Sequence, residues 1–134
     1  MAIEYTLREH LLAQSAITNI VTGVFVGIIP QGTLLPVILI NRDMGGPVYS
    51  LQGESGLDMT SCIVELLVDK GQVTTLISLQ EAVRTALSGY RGSMGTTYPL
   101  KIQRIMLMNV RGADLEPDSE AHVRRMEFEI DYNP

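Results

Sequence analysis

The thirty-residue stretch Ser61–Tyr90, SCIVELLVDKGQVTTLISLQEAVRTALSGY, limits the possible folds more than any other part of the chain. It reads as a strand, a tight turn and an amphipathic helix. In Ser61–Asp69 the alternate residues Cys62, Val64, Leu66 and Val68 are all apolar. A strand sends alternate side chains to one face, so that face must be covered. The cover follows directly in sequence. In Gln72–Tyr90 the residues Val73, Leu76, Ile77, Val83, Ala86, Leu87 and Tyr90 recur at helical spacing, with Gln80, Glu81, Arg84 and Ser88 pointing elsewhere. Asp69 and Gln72 are placed to cap the helix start, and Gly89 to stop it. The opposite strand face is mixed, and Ile63 and Leu67 on it call for a second cover.

The rest of the chain supplies strands around this unit. Thr6-Leu-Arg-Glu9 has the pattern of a capping box, which predicts a helix starting there and ending by Gly23. Val24–Ile29 reads as a short edge strand, and Val37–Arg42 as a strand covered on both sides. Asp43–Asp58 has four glycines and a proline, and reads as a long connection carrying the apolar residues Val48, Tyr49 and Leu51. Arg91–Pro99 is a second glycine-rich connection. Leu100–Val110 reads as a bulged strand, Arg111–Ala121 as an acidic loop. Val123–Tyr132 closes the chain with strict alternation: Met126, Phe128, Ile130 and Tyr132 against Arg125, Glu127, Glu129 and Asp131. The expected fold is α+β: one domain over residues 1–134, a two-layer sandwich of a mainly antiparallel four- to five-stranded sheet with two helices packed on one face. The other face is then open, or buried against another copy.

Composition narrows the function. The 134 residues fit one domain, and 46% hydrophobic content is enough to fill a core. A formal charge of −5 argues against coating nucleic acid, which needs a cationic face. Arg91, Lys101, Arg104, Arg111, Arg124 and Arg125 still allow a local basic patch. Cys62 is the single cysteine, which removes any internal disulfide and reads as a small apolar filler. The N-terminus lacks the pattern of a signal peptide. Asn19, Gly23, Gly27, Pro30 and Pro36 break up the apolar Ala16–Ile40 stretch, so no membrane partner is expected.

No grouping for chemistry persuades. Gly53-Glu-Ser-Gly56 is followed by Leu57 and so fails the nucleophile-elbow pattern. Gly92-Ser-Met-Gly95 lacks the Gly-Lys-Ser/Thr of a phosphate loop. His10 and His122 have no partners at metal-ligand spacing. Asp114, Glu116, Asp118 and Glu120 alternate as in a calcium loop, but Ser119 and Arg125 occupy the places of its glycine and closing glutamate. Two Phe, five Tyr and no Trp make a poor stacking platform for single strands. No catalytic, cofactor-binding or metal residue is assigned, and no cofactor is expected. The chain reads as a non-enzyme that spends its surface on partners.

The order of segments resembles the small tail-completion proteins of long-tailed bacteriophages, also called tail terminator or head–tail joining proteins. The N-terminal helix is followed by Gly23-Val-Phe-Val-Gly-Ile-Ile-Pro-Gln-Gly-Thr-Leu-Leu-Pro36, which leads into the strand Val37–Ile40. Pro47-Val-Tyr-Ser-Leu-Gln-Gly53 precedes the next strand and then the helix Leu79-Gln-Glu-Ala-Val-Arg-Thr-Ala-Leu87. Arg125-Met-Glu-Phe-Glu-Ile-Asp-Tyr132 matches the closing strand. The resemblance covers nearly the whole chain. It implies a virion subunit of the tail and head–tail junction, assembled in the host cytoplasm as a ring, commonly a hexamer. Such a ring caps the tail tube, ends its growth and offers a joining surface to the head connector; DNA only passes through. On this reading Val48, Tyr49, Leu51, Ile63 and Leu67 form a subunit or tube interface, and Glu127, Glu129 and Asp131 line the channel. Two other readings stay open: a head-completion or connector protein, and a small ligand-binding or hydrolytic domain using the glycine-rich loops around Ser55 or Ser93.

Overall fold

In a computed structural model, residues 3–50, 53–112 and 121–133 are described. The elements run in the order α1 (Ile3–Leu12), α2 (Ser15–Thr18), β1 (Gly23–Val26), β2 (Val37–Ser50), β3 (Gly53–Asp69), α3 (Val73–Leu87), β4 (Gly92–Met94), β5 (Leu100–Gly112) and β6 (Ala121–Asn133). The strands form one six-stranded sheet in the order β1-β2-β3-β6-β5-β4. β1 and β2 are parallel, with Gly23 against Val37; every other pair is antiparallel. Among the described residues no helix is long and apolar enough to cross a membrane.

This corrects the expected α+β two-layer sandwich with a mainly antiparallel four- to five-stranded sheet and two helices on one face. The fold is mostly β, a mixed curled sheet carrying three short helices. Three differences account for the correction. The predicted N-terminal helix breaks after Leu12, where the backbone N–H groups of Ala13 and Gln14 turn back to the carbonyls of His10 and Leu11, and a four-residue helix follows. β1 joins by parallel pairing. Finally, the glycine-rich stretch expected as a long connection is strand: β2 and β3 pair from Val37–Leu67 out to Ser50–Gly53.

That pairing survives its glycines and proline for local reasons. Gly45 lies opposite Thr60, and a Cβ there would come within 2.6 Å of Thr60 Oγ1 and 2.9 Å of the Met59 carbonyl oxygen. Only glycine lets the two strands approach that closely. Pro47 precedes an irregularity in register, the kind of place where a strand tolerates a residue without an N–H. β1 stops at Ile40 of β2, and β6 starts at Asp58 of β3. The outer part of the β2–β3 hairpin therefore extends beyond both neighbours as a ribbon, about 17 Å at the usual rise per strand residue.

The core lies between the helices and one face of the sheet. β3 contributes Cys62, Val64, Leu66 and Val68, and β6 contributes Met126, Phe128, Ile130 and Tyr132, all within 1% of full burial. In register, Cys62 faces Phe128 and Val64 faces Met126. The helices add Ile3, Leu7 and Leu11 from α1, Ile17 from α2, and Leu76, Leu79, Val83 and Leu87 from α3. Burial pushes the Cys62 thiol up to about 12, in keeping with an inert filler. Gly89, at φ 78°, ends α3 in the left-handed conformation, and its N–H donates to the Ile105 carbonyl at 2.9 Å.

The seam of α3 sits one step away from the sequence reading. Val73 and Ile77 are 47% and 52% exposed, whereas Leu79 is fully buried. Leu79→Ala is therefore expected to cost about 2–5 kcal/mol in urea unfolding, and Ile77→Ala within about 0.5 kcal/mol. Equal losses would contradict this placement of the helix.

Candidate functional site

Two regions carry polar groups in unusual settings: a cleft between α1 and the β4–β5 connection, and the sheet face opposite the core.

The cleft is built around Glu9. The chain expected Thr6 and Glu9 to cap a helix, but α1 begins at Ile3 and both side chains leave it sideways. Thr6 is buried and its hydroxyl donates to the Tyr98 carbonyl at 2.5 Å. The Glu9 carboxylate accepts from the backbone N–H of Thr96 (2.7 Å), Thr97 (2.9 Å) and Tyr98 (3.2 Å), and from the Thr96 hydroxyl. Three successive amides converging on one carboxylate form an anion nest. The Tyr5 and Tyr98 rings pack at 5.3 Å between centroids. Gly95, at φ 86°, starts the connection where a Cβ would come within 2.7 Å of the Tyr98 carbonyl oxygen. The nest thus ties the glycine-rich 91–99 segment onto α1.

Cavities of about 310 and 280 Å³ flank Glu9, one lined by His10 and Ser93, the other by Tyr5, Arg8 and Tyr98. This brings Ser93, His10 and Glu9, the residue types of a hydrolytic relay, into one cleft. They are not connected as a relay. His10 Nε2 lies 3.0 Å from the Ala86 carbonyl oxygen, its ring packs edge-on to Tyr90 at 4.8 Å, and Glu9 is committed to the 96–98 amides. Ser55, the other serine considered, falls within β3. Among the described residues no group of three or more His, Cys, Asp or Glu could hold a metal ion. The acidic run Asp114, Glu116, Asp118 and Glu120 lies outside the described residues.

The second sheet face holds most of the residues singled out in the sequence. Ile63 and Leu67 project there, half-buried, together with Glu127, Glu129 and Asp131. Register sets them side by side: Ile63 is opposite Glu127, Leu67 opposite Val123, and Met59 opposite Asp131. The expected interface and channel residues are therefore two ends of one surface. The apolar end also includes Leu39 of β2, opposite Phe25 of β1. The acidic end is partly neutralised. Arg104 Nη2 lies 2.8 Å from Asp131 and 3.4 Å from Glu129; within the apolar end, Glu65 stands opposite Leu39 between Ile63 and Leu67 and pairs with Arg125 at 3.5 Å. Among the described residues Glu127 has no such ion pair. Sequence reading named Arg104 only within a local basic patch and missed its pairing with the acidic row, which follows a register shift between Ile102 and Arg104. Val48 and Tyr49 lie in the projecting part of β2, with Tyr49 opposite Glu54, and Leu51 falls outside the described residues.

The nest fixes the direction of a pH effect. Hydrogen bonds from the Thr96 hydroxyl, then the Thr97 and Thr96 amides, lower the Glu9 carboxyl from 4.5 to about 2. A depressed folded-state value stabilises the fold fully above pH 4.5 and loses that contribution as pH falls through about 2. Urea midpoints of the parent and Glu9→Gln should differ most above pH 4.5 and converge near pH 2; a gap independent of pH would contradict the nest.

Comparison with known proteins bears on what this surface serves. No curated protein matches the sequence. A solved structure titled "Virion of native gene transfer agent (GTA) particle" contains a chain of the same fold, with TM-score 0.74, 12% identity, and coverage of 98% of this chain and 95% of that one. Residues 6–132 match the family described as "Tail completion protein gp17". That match spans nearly the whole chain and gives it a place in the virion tail: it belongs to the tail completion protein gp17 family.

Proposed function

We propose that this chain is a structural subunit that closes into a ring on the end of a tail tube, stops tube growth and presents a joining surface to the head connector. Its work is mechanical. The observation that carries the reading is the second sheet face. Half-buried Phe25, Leu39, Ile63 and Leu67 gather at one end of a surface that no helix among the described residues covers. A cluster of that kind marks a place where a partner sits. The family membership supplies the setting, a virion tail.

The two ends of the face then take different tasks. The apolar end meets a sister subunit or the tube. The acidic end, with Glu127 in no ion pair among the described residues and Glu129 and Asp131 shared with Arg104, borders the bore. A net negative rim repels passing DNA at short range, and the Debye length of about 8 Å at physiological salt confines that effect to the channel wall. The connector reading places the same ring one layer further toward the head, and no observed residue favours it over the tube end.

Ile63→Asp with Leu67→Asp should fold, with a circular dichroism spectrum like the parent's, yet fail to form a ring alone or on isolated tail tubes. The parent should give a ring mass in sedimentation, free or on tubes. A parent that stays monomeric in both settings would overturn the ring. Glu127→Lys should slow DNA ejection from assembled particles; unchanged ejection would remove the bore assignment.

A further inference from the structure

The end strands of the sheet are short and lie at opposite flanks. β1 has four residues and β4 has three, and β2, β3, β6 and β5 stand between them. Both flanks are nevertheless held by the same turn of α1. Arg8 Nε donates to the Val24 carbonyl in β1 at 2.7 Å. Glu9, the next residue, accepts the Thr96, Thr97 and Tyr98 amides in the connection that leaves β4. Just before them in the helix, the Thr6 hydroxyl donates to the Tyr98 carbonyl at 2.5 Å. The flanks also meet around one cavity, where Arg8 and Leu12 stand with Thr97 and Tyr98. Five spacings of about 4.8 Å would put the end strands of a flat six-stranded sheet about 24 Å apart. A helix is only about 10–12 Å wide with its side chains, so one turn reaches both flanks because the sheet curls around it.

From this juxtaposition we infer that Arg8 and Glu9 form a two-way clasp, which closes the curled sheet flank to flank and makes its two edges loosen or tighten together. The residues are consecutive on one helical turn, so neither moves without the other. Leu7 and Leu11, fully buried, seat that turn in the core. α1 has ten residues, fewer than the roughly 12–15 at which a helix begins to hold itself in water. Its order therefore depends on what it is fastened to, and loss of one tie slackens the turn that carries the other. His10, 3.0 Å from the Ala86 carbonyl oxygen, rests the same helix on α3. The clasp has two consequences. It keeps the short end strands engaged within the chain, which guards them against pairing with other chains. It also sets the curl, and with it the angle between the apolar and acidic ends of the second sheet face. The clasp is a property of the single chain and is independent of the ring.

Hydrogen exchange with mass spectrometry on the full chain tests it, with Arg8→Gln and Glu9→Gln as the variants. Both changes leave the core side chains in place. Val83→Ala, at a fully buried position in α3 that touches neither tie, serves as the control for general loss of stability. Each variant should raise exchange several-fold at both flanks, in Gly23–Val26 and in Gly92–Ile102, relative to the paired centre of β3 and β6. The double variant should add little to either single change, and Val83→Ala should show no preference for the flanks. If Arg8→Gln loosens only β1 and Glu9→Gln only the β4 side, or if neither variant raises exchange at the flanks above that at the centre of β3 and β6, the two ties act separately and the clasp is wrong.

Discussion

The structure depends on the alignment of β3 against β6. Twelve residue pairs, from Asp58–Tyr132 to Asp69–Ala121, hold two alternating strands in phase. Strand side chains have a period of two, so one register decides the fate of both faces at once. The chosen register puts Cys62, Val64 and Leu66 with Phe128, Met126 and their neighbours under the helices. The same register necessarily puts Ile63 and Leu67 beside Glu127 and Val123 on the far side. A slip by one residue would exchange core for surface, so the apolar cluster on the second face cannot be withdrawn without losing the first. On the function proposed above, the chain settles this by leaving the second face to partners.

The helices follow from that choice. α3 lies on its own strand and its neighbour, and α1 lies on the β1–β2 side. The Glu9 nest then fastens the β4–β5 connection to α1, so the end of the sheet that carries β5 is held by a carboxylate and three amides. On the proposed ring reading this ordering matters for assembly. A rim that must meet a neighbour repeatedly and in one orientation gains from having its loops fixed beforehand, because ordering them on contact would subtract from the binding free energy.

Legibility in the sequence tracked burial on one face. β6 and the inner half of β3 alternate so regularly that their inward residues were readable one by one, and the stop at Gly89 was readable from left-handed glycine chemistry. The identity of the family was readable from segment order. What stayed hidden was set by contacts distant in sequence. The hairpin beyond Arg42 looks like a loop because glycine and proline are poor strand residues, yet Gly45 is there to admit Thr60. Thr6 and Glu9 have the spacing of a capping box, yet their partners lie near residue 97. Val73 and Ile77 fit the helical period but lie beyond the sheet that α3 covers, and periodicity alone does not give the width of the seam. The expected interface and channel residues were read from separate strands, and which of them are neighbours is set by the pairing of β3 with β6, which puts Ile63 opposite Glu127.

Covering of the second sheet face on assembly is the claim at the centre of this account. Hydroxyl-radical footprinting with mass spectrometry, comparing the free protein with assembled particles, measures it side chain by side chain. Labelling of Phe25, Leu39, Ile63 and Leu67 should fall several-fold in the particle, with Tyr5 and Ile77 on the helical layer changing less. Unchanged labelling of those four residues, with protection confined to the helical layer, would contradict it.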